Sequence, residues 1–125
     1  MRTNLFFFKF VKSLKEILRN ILIELREWIE FIINNITGRS GFILRKQYYK
    51  NLFKGKLLNC RIQRGFIAEC SKNIKFGKNI YIGFNCKILA SSKSKIVFGD
   101  NFECNSNVMI NSRGIGEIII GNNVL

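Results

Sequence analysis

Histidine is missing from all 125 residues of this chain, and so is proline. The first absence removes the commonest general base and the commonest zinc ligand together. The second says little of function, because a chain rich in Ile, Asn and Lys can equally reflect AT-rich codons. Acidic residues are scarce as well: eight Asp and Glu stand against 21 Lys and Arg, for a net charge of +13. Such a balance draws polyanions, either nucleic acid or anionic lipid. No recognition-helix, RNP or zinc-finger signature accompanies the charge, so nucleic acid is not expected as a partner. Long uncharged runs are also lacking. No stretch approaches the ~20 apolar residues that span a bilayer, so a transmembrane helix is not expected. Lys9 and Lys12 interrupt the aromatic run at 5–8, and no small-residue cleavage site follows it, which argues against a secretory signal. The four cysteines, Cys60, Cys70, Cys86 and Cys104, include no Cys-x-x-Cys pair. They read as reduced, buried thiols of a cytoplasmic protein, and no metal site is expected.

What is present begins with a helical stripe. Val11, Leu14, Ile17, Leu18, Ile21, Leu25, Trp28 and Ile32 fall mostly three and four apart, a spacing sustained for about six turns. Lys12, Lys15, Glu16, Arg19, Glu24, Arg26, Glu27 and Glu30 fill other positions. The helix is expected to end near Asn34 and Asn35, with Gly38 behind it as a stop signal. Residues 38–64 then carry Arg39, Arg45, Lys46, Lys50, Lys54, Lys56, Arg61 and Arg64 without one acid, interleaved with Phe42, Tyr48, Tyr49 and Phe53. Basic charge mixed with amphipathic rings suits the headgroup layer of an anionic membrane, where each Lys or Arg contributes ~1 kcal/mol. The apolar stripe fits a second destination equally well, a partner subunit or the following domain. Periodicity does not separate the two.

The rest of the chain repeats. IKFGKN at 74–79, IVFGDN at 96–101 and IIIGNN at 118–123 recur every 22 residues, and a repeat decides the fold before any local reading does. Within each unit a six-residue beat places Phe76, Ile82 and Ile88, then Phe98, Cys104 and Ile110, on one series. A second series four residues later holds Ile80 and Cys86, Phe102 and Val108, and Val124. A hexad with two inward side chains and one sharp turn builds one short strand and one corner, so three of them close a triangle. The four residues left in each unit, at 92–95 and 114–117, are expected to bulge from one corner. Stacking predicts columns: Ile74 over Ile96 over Ile118, Phe76 over Phe98 over Ile120, and Ile88 over Ile110. Cys86 and Cys104 fall on inward positions as small core fillers. Gly77, Gly83, Gly99 and Gly121 fall at corners, and Asn79, Asn101 and Asn123 there suit left-handed backbone angles. Upstream, Cys60 to Ile67 looks like a degraded first coil, with Ile62 and Phe66 four apart and Ala68 six beyond Ile62. The amphipathic helix is then expected to cover the open first edge.

These motifs, IKFGKNIYIGFNCKIL, IVFGDNFECNSNVMIN and GEIIIGNNVL, resemble the hexapeptide-repeat acyltransferases, particularly the sugar O-acetyltransferases of lipopolysaccharide, capsule and colanic-acid biosynthesis. GRSGFILRKQYYKNLF followed by NCRIQRGFIAE resembles the entry segment of the membrane-associated, sugar-acetylating branch, and the similarity covers residues 38–125. The resemblance implies a left-handed parallel β-helix, usually a homotrimer, with acetyl-CoA as co-substrate in the groove between neighbouring prisms. It also implies a His from one coil as general base on the sugar hydroxyl. That His is expected beyond the Ile120-Gly121-Asn122-Asn123-Val124 step, where the sequence stops, so no catalytic or CoA-binding residue is carried over.

The expected fold is therefore mainly β: an amphipathic helix over 1–37, a basic and partly helical connector over 38–59, and the first coils of an incomplete triangular solenoid over 60–125. Three origins fit the ending: a gene fragment or frameshifted copy, a deliberately shortened chain, and a genuine non-catalytic solenoid, with some form of truncation favoured. The expected function is that of the N-terminal part of an acyl-CoA-dependent O-acetyltransferase acting on a sugar or polysaccharide precursor of the cell surface, inactive alone. It is expected in the cytoplasm, peripheral at the inner face of the membrane. The alternative is a non-catalytic, membrane-tethering or structural β-solenoid.

Overall fold

The computed structural model describes residues 2–53, 57 and 59–125, so Lys54 and Lys56 of the basic segment lie outside the described residues. The chain divides into two compact units, Met1–Ile32 and Ile33–Leu125. The first is formed by all but the last turn of α1 (Arg2–Asn35), which begins well before Val11 and takes in the aromatic run. The reason is visible in the spacing: Phe7, Phe10 and Leu14 extend the stripe toward the N-terminus at steps of three and four, and no Gly or Pro interrupts them. At ~100° per residue, Lys9, Lys12, Lys15, Glu16, Arg19, Arg26, Glu27 and Glu30 gather within about a third of the circumference. From Leu5 to Ile32 every large apolar side chain except Val11 is exposed. Among the described residues, no helix is long and apolar enough to cross a membrane.

In the second unit a new helix, α2 (Gly38–Leu52), follows at once. Gly38 does adopt a left-handed φ of 71°, but it ends one helix only to open the next. Nine short strands follow among the described residues: β1 (Cys60–Ile62), β2 (Ile67–Glu69), β3 (Ile74–Lys75), β4 (Ile80–Ile82), β5 (Lys87–Leu89), β6 (Ser94–Phe98), β7 (Glu103–Cys104), β8 (Met109–Asn111) and β9 (Gly116–Ile120). They form three parallel sheets of three, in the orders β1-β4-β7, β2-β5-β8 and β3-β6-β9. Each round of chain thus gives one strand to each sheet, an arrangement consistent with a partial parallel β-helix.

Register follows the repeat. Ile74 pairs with Ile96 and Ile96 with Ile118, Phe98 with Ile120, and Ile88 with Ile110. The Phe76 and Phe98 rings stack with centroids 4.8 Å apart and planes 11° apart, and Phe102 packs on Phe98 at 4.7 Å. Phe76, Ile80, Ile82, Cys86, Ile88, Ile96, Phe98, Phe102 and Cys104 are all buried in one core. The first round is shorter, because Cys60 pairs with Ile80 and Ala68 with Ile88 at an offset of 20, and the 3-10 turn Ser71–Asn73 closes its third corner with two residues fewer. In later rounds the wider corner lies at 90–93 and 112–115, two residues before the expected bulge. Ser94 and Gly116 already belong to strands, where Ser94 is buried and accepts hydrogen bonds from the Ser91 amide (2.8 Å) and the Ser112 hydroxyl (3.1 Å).

The other two corners of each round use left-handed residues. Asn79, Asn101 and Asn123 have φ of 58°, 56° and 57°, and their side chains form a hydrogen-bonded ladder. A second left-handed series runs through Gly65, Asn85 and Asn107. At Gly77 and Gly99 the requirement is close approach: a Cβ on Gly99 would lie 2.7 Å from the Gly121 carbonyl oxygen, and one on Gly77 would lie 2.6 Å from that of Gly99.

Within the second unit, residues 33–53 cover the free edge of the first round. The buried Arg45 donates from Nε to the Ile62 carbonyl (2.9 Å) and from Nη1 to those of Ile33 (3.1 Å) and Ile36 (2.8 Å). It therefore joins the last turn of α1 to β1, and its charge complements the negative end of that helix. The Tyr49 hydroxyl (3.0 Å) and the Asn34 side-chain amide (2.9 Å) both donate to the Phe66 carbonyl. Tyr49 packs edge-on against Phe66 and Phe53 against Phe76, each with centroids 4.9 Å apart. Gly41 is what lets α2 come this close, since a Cβ there would run into the Ile36 carbonyl.

Candidate anion-binding site

Packing divides the basic segment into two sets. Arg45, Tyr49 and Phe53 turn inward and are buried, and Tyr48 is half-buried against the core. Arg45, Tyr49 and Phe53 therefore serve as neither outward charge nor interfacial ring, which corrects the sequence expectation for those three. Arg39, Lys46, Arg61 and Arg64 remain exposed. Arg39 and Lys46 stand seven apart, two turns along one side of α2, and Arg61 points outward from the middle of β1, between the buried Cys60 and Ile62.

Together they border a cleft of about 290 Å³ lined by Arg39, Phe42, Ile43, Lys46, Cys60 and Arg61. Phe42 forms part of its wall and orders two cations: the Arg61 guanidinium lies 4.9 Å from the ring centroid and that of Arg45 5.2 Å. Such contacts hold an arginine in place without neutralising it. Ion pairs between described residues join Arg26 to Glu30, Lys95 to Glu117 and Arg113 to Glu69, and none reaches Arg39, Lys46, Arg61 or Arg64. Ile43, on the same cleft, is 68% exposed, Leu44 beside it 44%. Farther along, Arg64 lies 5.8 Å over the half-exposed Phe84 ring. Three cations thus border one cleft beside exposed hydrocarbon, with no carboxylate partner among the described residues.

A second basic concavity of about 540 Å³ lies on the β3-β6-β9 sheet and includes Lys72, Lys75, Lys93 and Lys95. Its lysines are exposed, and Lys95 faces Glu117 at 3.8 Å.

Three of the thiols are buried as expected, whereas Cys70 is only half-buried, which corrects the expectation for it. Burial pushes the Cys60 pKa up, with Lys46 pulling the other way, and burial pushes Cys104 up to about 11, with Cys86 and Glu103 adding to the rise. The Cys86 thiol donates to the Asn105 carbonyl at 3.0 Å, and Cys104 meets its sulfur at 3.7 Å. A protonated, buried thiol is inert toward electrophiles. Among the described residues no cluster of three or more Cys, Asp or Glu could hold a metal ion. Sequence reasoning missed the cleft as a unit: the charges were visible, but that Arg61 of β1 joins Arg39 and Lys46 of α2 depends on how α2 docks. No family model, curated protein or solved structure matches this chain.

Proposed function

We propose that these residues are the N-terminal part of an acyl-CoA-dependent sugar O-acetyltransferase, with the three sheets as the first coils of a left-handed, triangular parallel β-helix that completes a homotrimer. The carrying observation is the register: residues 20 apart in the first round of two sheets, and 22 apart elsewhere, pair in parallel through three sheets, with Phe76 and Phe98 stacked in the shared interior. The chain supplies scaffold to this reaction. It has no His to serve as the base that the resemblance implies, and burial keeps the thiols of Cys60 and Cys104 protonated, so neither of these takes a proton from a sugar hydroxyl. Acetyl-CoA and the acceptor, a sugar or polysaccharide precursor, would be engaged by coils that carry the base.

The test is the nucleotide sequence downstream, read in all frames, together with an acetyl-transfer assay on the 125-residue chain. Further hexads that include a His, with no transfer by the chain itself, are the expected results. Transfer by this chain alone would overturn the scaffold role. A second reading, a non-catalytic solenoid tethered to an anionic membrane at the cytoplasmic face, is favoured by the acid-free cleft of α2 and β1. A stop followed by unrelated sequence would select it.

A further inference from the structure

The geometry points to the α2–β1 cleft as a binding site for the phosphate of an anionic lipid headgroup, with Arg39, Lys46 and Arg61 on the phosphate and Ile43 and Phe42 against the glycerol and first acyl carbons. This deepens the membrane reading and is independent of the acyltransferase reading. Charge complementarity carries it: three cations share one cleft, and no described carboxylate pairs with any of them. The choice of a lipid over a free anion rests on Ile43. It is 68% exposed at the cleft, and a free phosphate would gain nothing from it, whereas a lipid buries it. Arginine suits this role because its planar donor array matches phosphate oxygens in pairs. The stacking of Arg61 on Phe42 at 4.9 Å pre-orders one such array, which lowers the entropy lost on binding. The lysine concavity on the β3-β6-β9 sheet lacks an apolar partner of this kind for its charges, and it serves as the control.

The experiment is flotation of the full chain with phosphatidylcholine vesicles and with vesicles containing phosphatidylglycerol. Arg39→Gln, Lys46→Gln and Arg61→Gln together should lower partitioning onto the anionic vesicles about a hundredfold. Lys72→Gln, Lys75→Gln and Lys93→Gln, which remove the same charge elsewhere, should lower it less than about fivefold, because charges beyond a Debye length are screened. Ile43→Ser should weaken vesicle binding at unchanged charge. Equal losses from both triple variants would reduce the effect to net charge and overturn the site. Undiminished binding by the cleft variant would overturn it as well. Binding of inorganic phosphate as tight as binding to the anionic vesicles, with Ile43→Ser altering neither, would identify a free-anion site and overturn the assignment to lipid. All the substituted residues are exposed, and an unchanged thermal melt with Arg61→Lys as a second variant keeps folding out of the comparison.

Discussion

Replacement of Asn101 separates backbone from side chain at a corner. Its φ is 56°, and it sits mid-ladder: the Asn79 amide donates to its Oδ1 at 3.0 Å, and its own amide donates to Asn123 at 2.8 Å. Alanine and glycine both delete these two bonds, each worth ~0.5–1.5 kcal/mol net and toward the low end at an exposed site. Alanine then adds ~1–2 kcal/mol for a β-carbon in the left-handed region. Against this, alanine stiffens the unfolded chain relative to glycine by ~0.4–1 kcal/mol. The balance leaves Asn101→Ala less stable than Asn101→Gly by about 0.5–1 kcal/mol, opposite to the usual order in regular structure. Urea denaturation of the two variants at equal slope reads the difference as a shift in midpoint. An alanine variant as stable as the glycine variant would refute a left-handed corner at this position.

Phe98→Ala removes a ring stacked on Phe76 and Phe102 and should cost ~3–5 kcal/mol in urea denaturation. Ile119→Ala, on an outward position 68% exposed, should stay within ~0.5 kcal/mol of the parent. Arg45→Ala should cost ~2–4 kcal/mol, because it strips the Ile62, Ile33 and Ile36 carbonyls of their donors. Arg45→Lys should recover only part of that loss, since an ammonium cannot span both sets of carbonyls. Stability should also fall in alkali. The unfolded Cys104 thiol ionises near its ordinary value of about 8.5, while the folded one stays protonated toward about 11. The folded state therefore holds the extra proton, its contribution is complete below the unfolded value, and it is lost as pH climbs toward 11 at up to ~1.4 kcal/mol per pH unit. Cys104→Ser should flatten that slope in pH-dependent melts.

The sheets were legible in the sequence because stacking forces like residues to recur at fixed intervals. Ile74, Ile96 and Ile118 announce their pairing before any contact is known, and Asn79, Asn101 and Asn123 announce the corners. The sequence holds a second signal of the same kind: Asn85 and Asn107 also stand 22 apart, and both are left-handed. The cap was not legible. Whether a basic residue faces water or a row of carbonyls depends on which backbone is brought beside it, and nothing in the spacing of Arg39, Arg45 and Lys46 marks Arg45 as the buried one. Gly41 carried the nearest hint. A glycine inside α2 costs ~1 kcal/mol relative to alanine, and the close Ile36 carbonyl accounts for it. The candidate cleft shares this limit, since it is assembled from two elements whose docking the Arg45 contacts and the Tyr49 ring define.

The register of the three sheets is tested most directly by nuclear Overhauser contacts in a labelled sample of this 14.6 kDa chain. Parallel pairing predicts backbone contacts that link Lys75 to Val97 and Val97 to Ile119, on strands ~4.8 Å apart, together with ring contacts between Phe76 and Phe98. Contacts that run in antiparallel order, or Phe76 and Phe98 rings without a mutual contact, would contradict it.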